Sequence, residues 1–126
     1  MKRLTFATIC LAALPLMAAA EGDAAKGEKV FNKCKACHMV GDDAKNRVGP
    51  VLNAIVGRPV AAIEDFKYSD TLTDKGASGA VWTEEELAAF LANPKDYAKG
   101  TKMAFAGLRK EEERADVIAY LATFSQ

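Results

Sequence analysis

Cys34-Lys35-Ala36-Cys37-His38 places two thiols about one helical turn apart and runs directly into the only histidine of the chain. This C-x-x-C-H spacing is the attachment sequence for covalent haem. Thiols at that separation can add to two vinyl groups along one porphyrin edge, and the imidazole that follows reaches the iron from the same face. Other chemistries fit less well. A structural zinc site takes four ligands, and Cys34, Cys37 and His38 supply three. A thioredoxin-like C-x-x-C follows a strand in a βαβ setting, and no such pattern is present. A plain disulfide leaves His38 without a role.

If His38 fills one axial position of an iron, the opposite face needs a second ligand. There is no second histidine, and the four methionines are Met1, Met17, Met39 and Met103. Met39 adjoins His38 and cannot reach the far face. Met1 and Met17 lie in an N-terminal stretch of a different character. That leaves Met103, in Gly100-Thr101-Lys102-Met103. A soft thioether opposite an imidazole favours ferrous iron and raises the reduction potential.

The N-terminal stretch opens on the cations Lys2 and Arg3, continues apolar to Met17 with a late Pro15, and ends in Ala18-Ala19-Ala20 before polar residues. Its order is that of a secretory signal cleaved after Ala20; it is short for a membrane span, which takes ~20 apolar residues. Residues 1–20 are therefore expected to be removed, together with Cys10, and residues 21–126 to form one domain. The whole chain is formally neutral, with 17 basic and 17 acidic groups, which gives no reason to expect nucleic acid as a partner. Export without a remaining membrane anchor places the mature chain in a periplasm, where thiols are oxidised or capped.

The elements that position these residues read as all-α. Asp23 is placed to cap a helix over residues 24–34, in which Gly27, Val30, Phe31 and Cys34 share a face. Residues 39–69 are punctuated by Gly41, Gly49, Pro50, Gly57 and Pro59 and read as loop, with one turn of helix near 51–56. A short helix is expected over 70–75, ended by Gly76 and Gly79. Thr83-Glu84-Glu85-Glu86 is a capping box opening a helix with Leu87, Phe90 and Leu91 inward. Asn93-Pro94 stops it, and Pro94 begins a further short helix through Tyr97. A last helix runs from 110 to about 124 with Val117, Ile118, Leu121 and Phe124 aligned. Loops this long are uncommon in a compact domain; a large flat apolar cofactor would fill the centre they surround.

The stretches "CKACH", "RVGPVLNAIVGR", "FKYSD", "VWTEEELAAFLANPKDY", "GTKMAFAGL" and "ERADVIAYL" resemble, in order and over nearly all of residues 21–126, the class I cytochromes c, and among them the bacterial cytochrome c2 group. The resemblance implies the class I cytochrome c fold: short helices and long loops wrapped around one covalently attached haem c. It implies thioether attachment at Cys34 and Cys37 and axial ligation by His38 and Met103. Pro50 matches the proline whose carbonyl accepts the ligand histidine's N–H, a contact that fixes the tautomer. Arg58, Tyr68 and Trp82 match residues that bind or shield a buried propionate, which is costly without partners. Thr101 matches the threonine beside the methionine loop. Gly27 and Phe31 match the contact of the first helix with Val117 and Tyr120 of the last. Three departures stand out. Phe90 replaces a tyrosine common near the sulfur, Lys99 replaces a proline, and the usual glycine within 59–64 is missing. Lys99 suggests a looser methionine loop.

With both axial positions filled, the expected function is that of a monomeric one-electron carrier, not an enzyme, which would want a vacant position. The resemblance implies a cytochrome bc1 complex as donor and a terminal oxidase or photosynthetic reaction centre as acceptor. Lys33, Lys35, Lys95 and Lys102 are expected to surround the exposed haem edge and to steer an acidic partner, while acidic runs lie elsewhere.

Overall fold

The computed structural model describes residues 22–124. The signal segment and its cleavage point after Ala20 lie outside the described residues. Among the described residues five helices appear in the order α1 (Ala24–Phe31), α2 (Asp70–Ala77), α3 (Glu84–Ala92), α4 (Pro94–Tyr97) and α5 (Glu111–Ala122). Among the described residues the only β pairing is an isolated antiparallel bridge between Pro59 and Val81.

Local signals start the helices. The Asp23 carboxylate accepts the Ala25 and Lys26 N–H groups at 2.9 and 3.1 Å, satisfying donors that the first turn leaves over. Thr83 Oγ1 accepts from Glu86 N at 3.1 Å, and Glu84, Glu85 and Glu86 complement the positive end of α3. Asn93 caps α4, with Pro94 at a position whose missing N–H costs nothing. The expected capping box forms only in half: the Glu86 carboxylate, instead of returning to the Thr83 backbone, accepts a hydrogen bond from the Tyr97 hydroxyl.

Three boundaries differ from expectation. α1 ends at Phe31, not near Cys34, because the chain tightens: Lys33 N bonds to Val30 O at 3.0 Å and Cys34 N to Phe31 O at 2.8 Å, i to i−3. α2 runs through Gly76 to Ala77. No helix forms over 51–56. Ala54 is left-handed with φ 56° and donates its N–H to the Phe124 carbonyl, while the carbonyls of Val51 and Asn53 accept from Arg58. Groups that a helical turn would pair among themselves are committed elsewhere.

α1 and α5, the first and last of the described helices, meet closely. A Cβ on Gly27 would collide with the Asp116 carbonyl and the Tyr120 Cβ, so only glycine lets these backbones approach. The Asp23 N–H donates to the Asp116 carboxylate at 2.8 Å, and the Phe31 and Tyr120 rings lie 5.4 Å apart. The buried core includes Phe31, Ile55, Trp82, Leu87, Val117 and Leu121. These side chains pack in one cluster, and the same six also line the wall of a cavity.

Candidate haem site

The cavity measures about 360 Å³ and opens between the Cys34–His38 turn and the loop that carries Met103, within the ~300–1,000 Å³ usual for a bound cofactor. Its floor is apolar, built from Phe31, Leu52, Leu72, Leu87, Phe90 and Leu91. The polar and sulfur-bearing groups stand at its edges.

Cys34 and Cys37 carry free thiols, both half-buried, and both line the cavity. Burial pushes the Cys34 thiol above its ordinary range, against the opposing pull of Lys33. The His38 N–H donates to Cys34 O at 2.9 Å, so the three reactive residues share one helical turn. His38 Nδ1 lies 2.7 Å from the Pro50 carbonyl oxygen. A carbonyl can only accept, so Nδ1 carries the proton and Nε2 keeps a lone pair. Burial lowers the tendency of the imidazole to take a second proton, partly offset by the Pro50 bond. A neutral imidazole with its second nitrogen oriented in this way is a metal ligand in waiting.

Met103 lies half-buried on the cavity wall. Its N–H donates to Thr101 Oγ1 at 3.3 Å, so Thr101 shapes the turn that presents the thioether. Arg58 also lines the cavity. Its Nη1 donates to the carbonyls of Val51 and Asn53, each at 3.0 Å, whereas its Nε is buried without a partner. A buried donor on a cation, left over at the edge of an apolar cavity, calls for an acid group from whatever fills that cavity. Tyr68 and Trp82 line the same cavity. The Tyr68 hydroxyl accepts from Ile63 N at 3.1 Å and retains its own proton to donate. The Trp82 backbone N–H donates to the Arg58 carbonyl at 2.8 Å, which joins the two chain segments that bring Trp82 and Arg58 to the same cavity.

The residues present therefore fit haem c. Two thiols on one turn meet the need for covalent attachment, a neutral imidazole and a thioether can each take an iron, and an unpartnered arginine donor awaits a propionate. Among the described residues no three His, Cys, Asp or Glu side chains gather as a metal cluster, so the zinc alternative gains nothing.

The four expected docking cations, Lys33, Lys35, Lys95 and Lys102, are all exposed, and two of them have partners. Lys33 Nζ stands 3.5 Å from the Glu113 carboxylate, and Lys102 Nζ donates to Lys67 O at 3.4 Å. Phe90 packs edge-on to Tyr97 at 5.6 Å and against Trp82 at 5.2 Å. Sequence reasoning missed two supports. The Asn53 side chain bonds both the Gly41 N–H (2.9 Å) and the Gly41 carbonyl (2.8 Å), pinning the strand of loop that follows His38. Asn46 accepts from Val51 N at 2.9 Å, just beyond Pro50. Asparagines inside a glycine-rich loop are the signal that could have found them. Also unforeseen is Val48, 76% exposed at the cavity mouth.

The Cytochrome c family model matches residues 24–125. The chain is 58% identical over 101 residues to "Cytochrome c-550" of Ancylobacter novellus, covering 80% of this chain and 94% of that protein. It is 46% identical over 125 residues to "Cytochrome c2" of Blastochloris viridis, covering 99% and 95%. Among solved structures, cytochrome c2 from Rhodospirillum centenum superposes with a TM-score of 0.78 at 44% identity, covering 83% of this chain and all of that one. Among the described residues no helix is long and apolar enough to cross a membrane.

Proposed function

The chain belongs to the cytochrome c family, whose members carry covalently attached haem c, and from that premise we propose that it is a one-electron carrier exported to a periplasm. Residues 1–20 act as the removed signal, and 21–126 form the working domain. Cys34 and Cys37 hold the haem by thioether bonds, and His38 and Met103 take the two axial positions. Bound there, haem c supplies a one-electron couple between ferric and ferrous iron.

The chain's own residues do the rest. Pro50 holds the Nδ1 proton of His38, keeping Nε2 basic and the ring fixed in rotation. Met103 supplies a soft sulfur that favours the reduced state. Arg58, Tyr68 and Trp82 neutralise and cover an acid group that would otherwise be buried at high cost. The apolar floor excludes water, so little solvent rearranges around a change of charge. With both axial positions taken, nothing is left open for a substrate, and the protein passes electrons without transforming a molecule. The donor is a cytochrome bc1 complex and the acceptor a terminal oxidase or photosynthetic reaction centre. Lys35, Lys95 and Lys102 are the cations that meet an acidic partner, with Lys33 held partly in reserve by Glu113.

The observation that carries this reading is the single cavity on which His38, locked by Pro50, and Met103, turned by Thr101, both abut. The test is optical. The ferric protein is expected to show the weak near-infrared charge-transfer band of methionine ligation, and Met103→Ala to lose it. Carbon monoxide is expected to leave the reduced wild type unchanged and to bind the variant. Fast, tight binding to the wild type would point to an open position and to a haem enzyme.

A further inference from the structure

We propose that Thr71 is a positioning residue for Met103: its hydroxyl clamps the loop that presents the thioether to the cavity. The proposal rests on the reading of Met103 as an axial ligand.

The loop has little of its own to hold it. Between the end of α4 at Tyr97 and the start of α5 at Glu111 no regular element intervenes. Lys99 fixes no backbone angle as a proline would, so the chain has more conformations to give up on folding. Inside the loop, Thr101 N bonds to Ala98 O at 2.9 Å, which reaches back only to the buried end of α4, and Met103 N bonds to Thr101 Oγ1 at 3.3 Å, which is local to the turn.

The far end of the loop is held at Leu108, whose N–H donates to Leu91 O at 2.7 Å and whose carbonyl accepts from Arg114; its 99–103 stretch is tied to the body by two bonds, both from residues 67–71. Thr71 Oγ1 donates to the Lys99 carbonyl at 2.6 Å, across 28 residues of sequence. Lys102 Nζ donates to the Lys67 carbonyl at 3.4 Å. The second is long and hangs on four rotatable bonds. The first is short and hangs on one stiff, β-branched torsion. Its base is firm. Ser69, 5% exposed, caps α2 by accepting from Leu72 N, and its carbonyl accepts from Thr73 N at 2.9 Å. Tyr68, next along, forms part of the cavity wall. Thr71 thus connects a rigid helix start beside the haem site to the carbonyl four residues before Met103. It supplies the restraint that Lys99 does not.

The test uses holoprotein, with imidazole as a competitor for the Met103 position in the ferric state, followed by loss of the near-infrared band. Thr71→Val keeps the shape and drops the hydroxyl; Thr71→Ser keeps the hydroxyl. Val is expected to raise imidazole affinity about five-fold, the equivalent of the ~1 kcal/mol that one net hydrogen bond contributes. Amide exchange at 100–103 should quicken by a similar factor while α1 and α5 keep their protection, and Ser should behave as wild type. Wild-type imidazole affinity in the Val variant, with the band intact, overturns the role of Thr71 and leaves the ligand assignment standing. Faster exchange spread evenly over α1 and α5 also overturns it, since Thr71 would then act on the whole fold. A wild type with no near-infrared band overturns the ligand assignment and this proposal with it.

Discussion

Gly49 lies tight against the imidazole of His38: a Cβ built on it would overlap the ring Cε1 and both ring nitrogens. The next residue, Pro50, holds the same ring by its Nδ1 proton at 2.7 Å. One short stretch of backbone therefore supplies both the wall that the ring leans on and the acceptor that orients it.

Gly49→Ala is expected to push the imidazole off Pro50. Overpacking of a close contact costs about 1–3 kcal/mol, and the backbone here can yield little, because Gly49 N donates to Cys37 O at 2.9 Å. Guanidinium unfolding of the holoprotein should show that loss, together with a changed reduction potential from the reoriented ring. An unaltered potential and an unaltered unfolding midpoint would contradict the close fit.

Arg58→Leu removes a charge and two donations at once. The carbonyls of Val51 and Asn53 lose their arginine donor, at a cost of roughly 1–3 kcal/mol, visible in urea unfolding. The potential should fall, because the positive charge that opposes the oxidised state is gone. Arg58→Lys should restore the potential more than the stability, since an ammonium cannot reproduce the planar fork.

The hydrogen bond from Tyr97 to Glu86 sets an alkaline limit. Partial burial, then the Glu86 carboxylate that accepts its proton, push the Tyr97 phenol well above its ordinary value. The unfolded chain ionises this group near pH ~10, while the folded chain keeps the proton. The unfolded state thus binds fewer protons above that pH, and stability falls as pH rises from there. The contribution is whole below pH ~10 and shrinks above it. Tyr97→Phe should begin less stable at neutral pH and decline less steeply from pH 10 to 12 in unfolding titrations. Equal slopes in the two proteins would disprove the coupling.

The four docking lysines should not be equivalent. Lys33 already faces Glu113 at 3.5 Å, so Lys33→Ala leaves the local net charge less positive by one while freeing a carboxylate of the same sign as an acidic partner. Lys35 stands exposed on the same turn. Association rates with the acceptor at low salt should drop about three-fold on Lys35→Ala, and raising the ionic strength should erase that difference. At saturating acceptor the transfer rate itself should be unchanged, as measured by stopped flow.

Where the controlling forces are local, the sequence could be read directly. Asp23, Thr83 and Asn93-Pro94 announce helix starts because a cap needs only its next three residues. Cys34, Cys37 and His38 announce a haem because their chemistry is a matter of spacing. Reading failed where a group is claimed from afar. Residues 51–56 have a helical look, yet Arg58 and the Phe124 carbonyl take their hydrogen bonds and Ala54 turns left-handed. Glu86 has the look of a capping-box partner, yet Tyr97, eleven positions on, is the better donor. The bond from the Thr71 hydroxyl to the Lys99 carbonyl, across 28 positions, likewise leaves no local signal in the sequence.

The close seat of α1 on α5 also makes the thiol-bearing turn depend on a distant part of the sequence. Cys34 follows directly from α1, and α1 rests on α5 through Gly27 and Phe31. A substitution in α5 that pushes the two helices apart therefore reaches Cys34 and Cys37 without touching them.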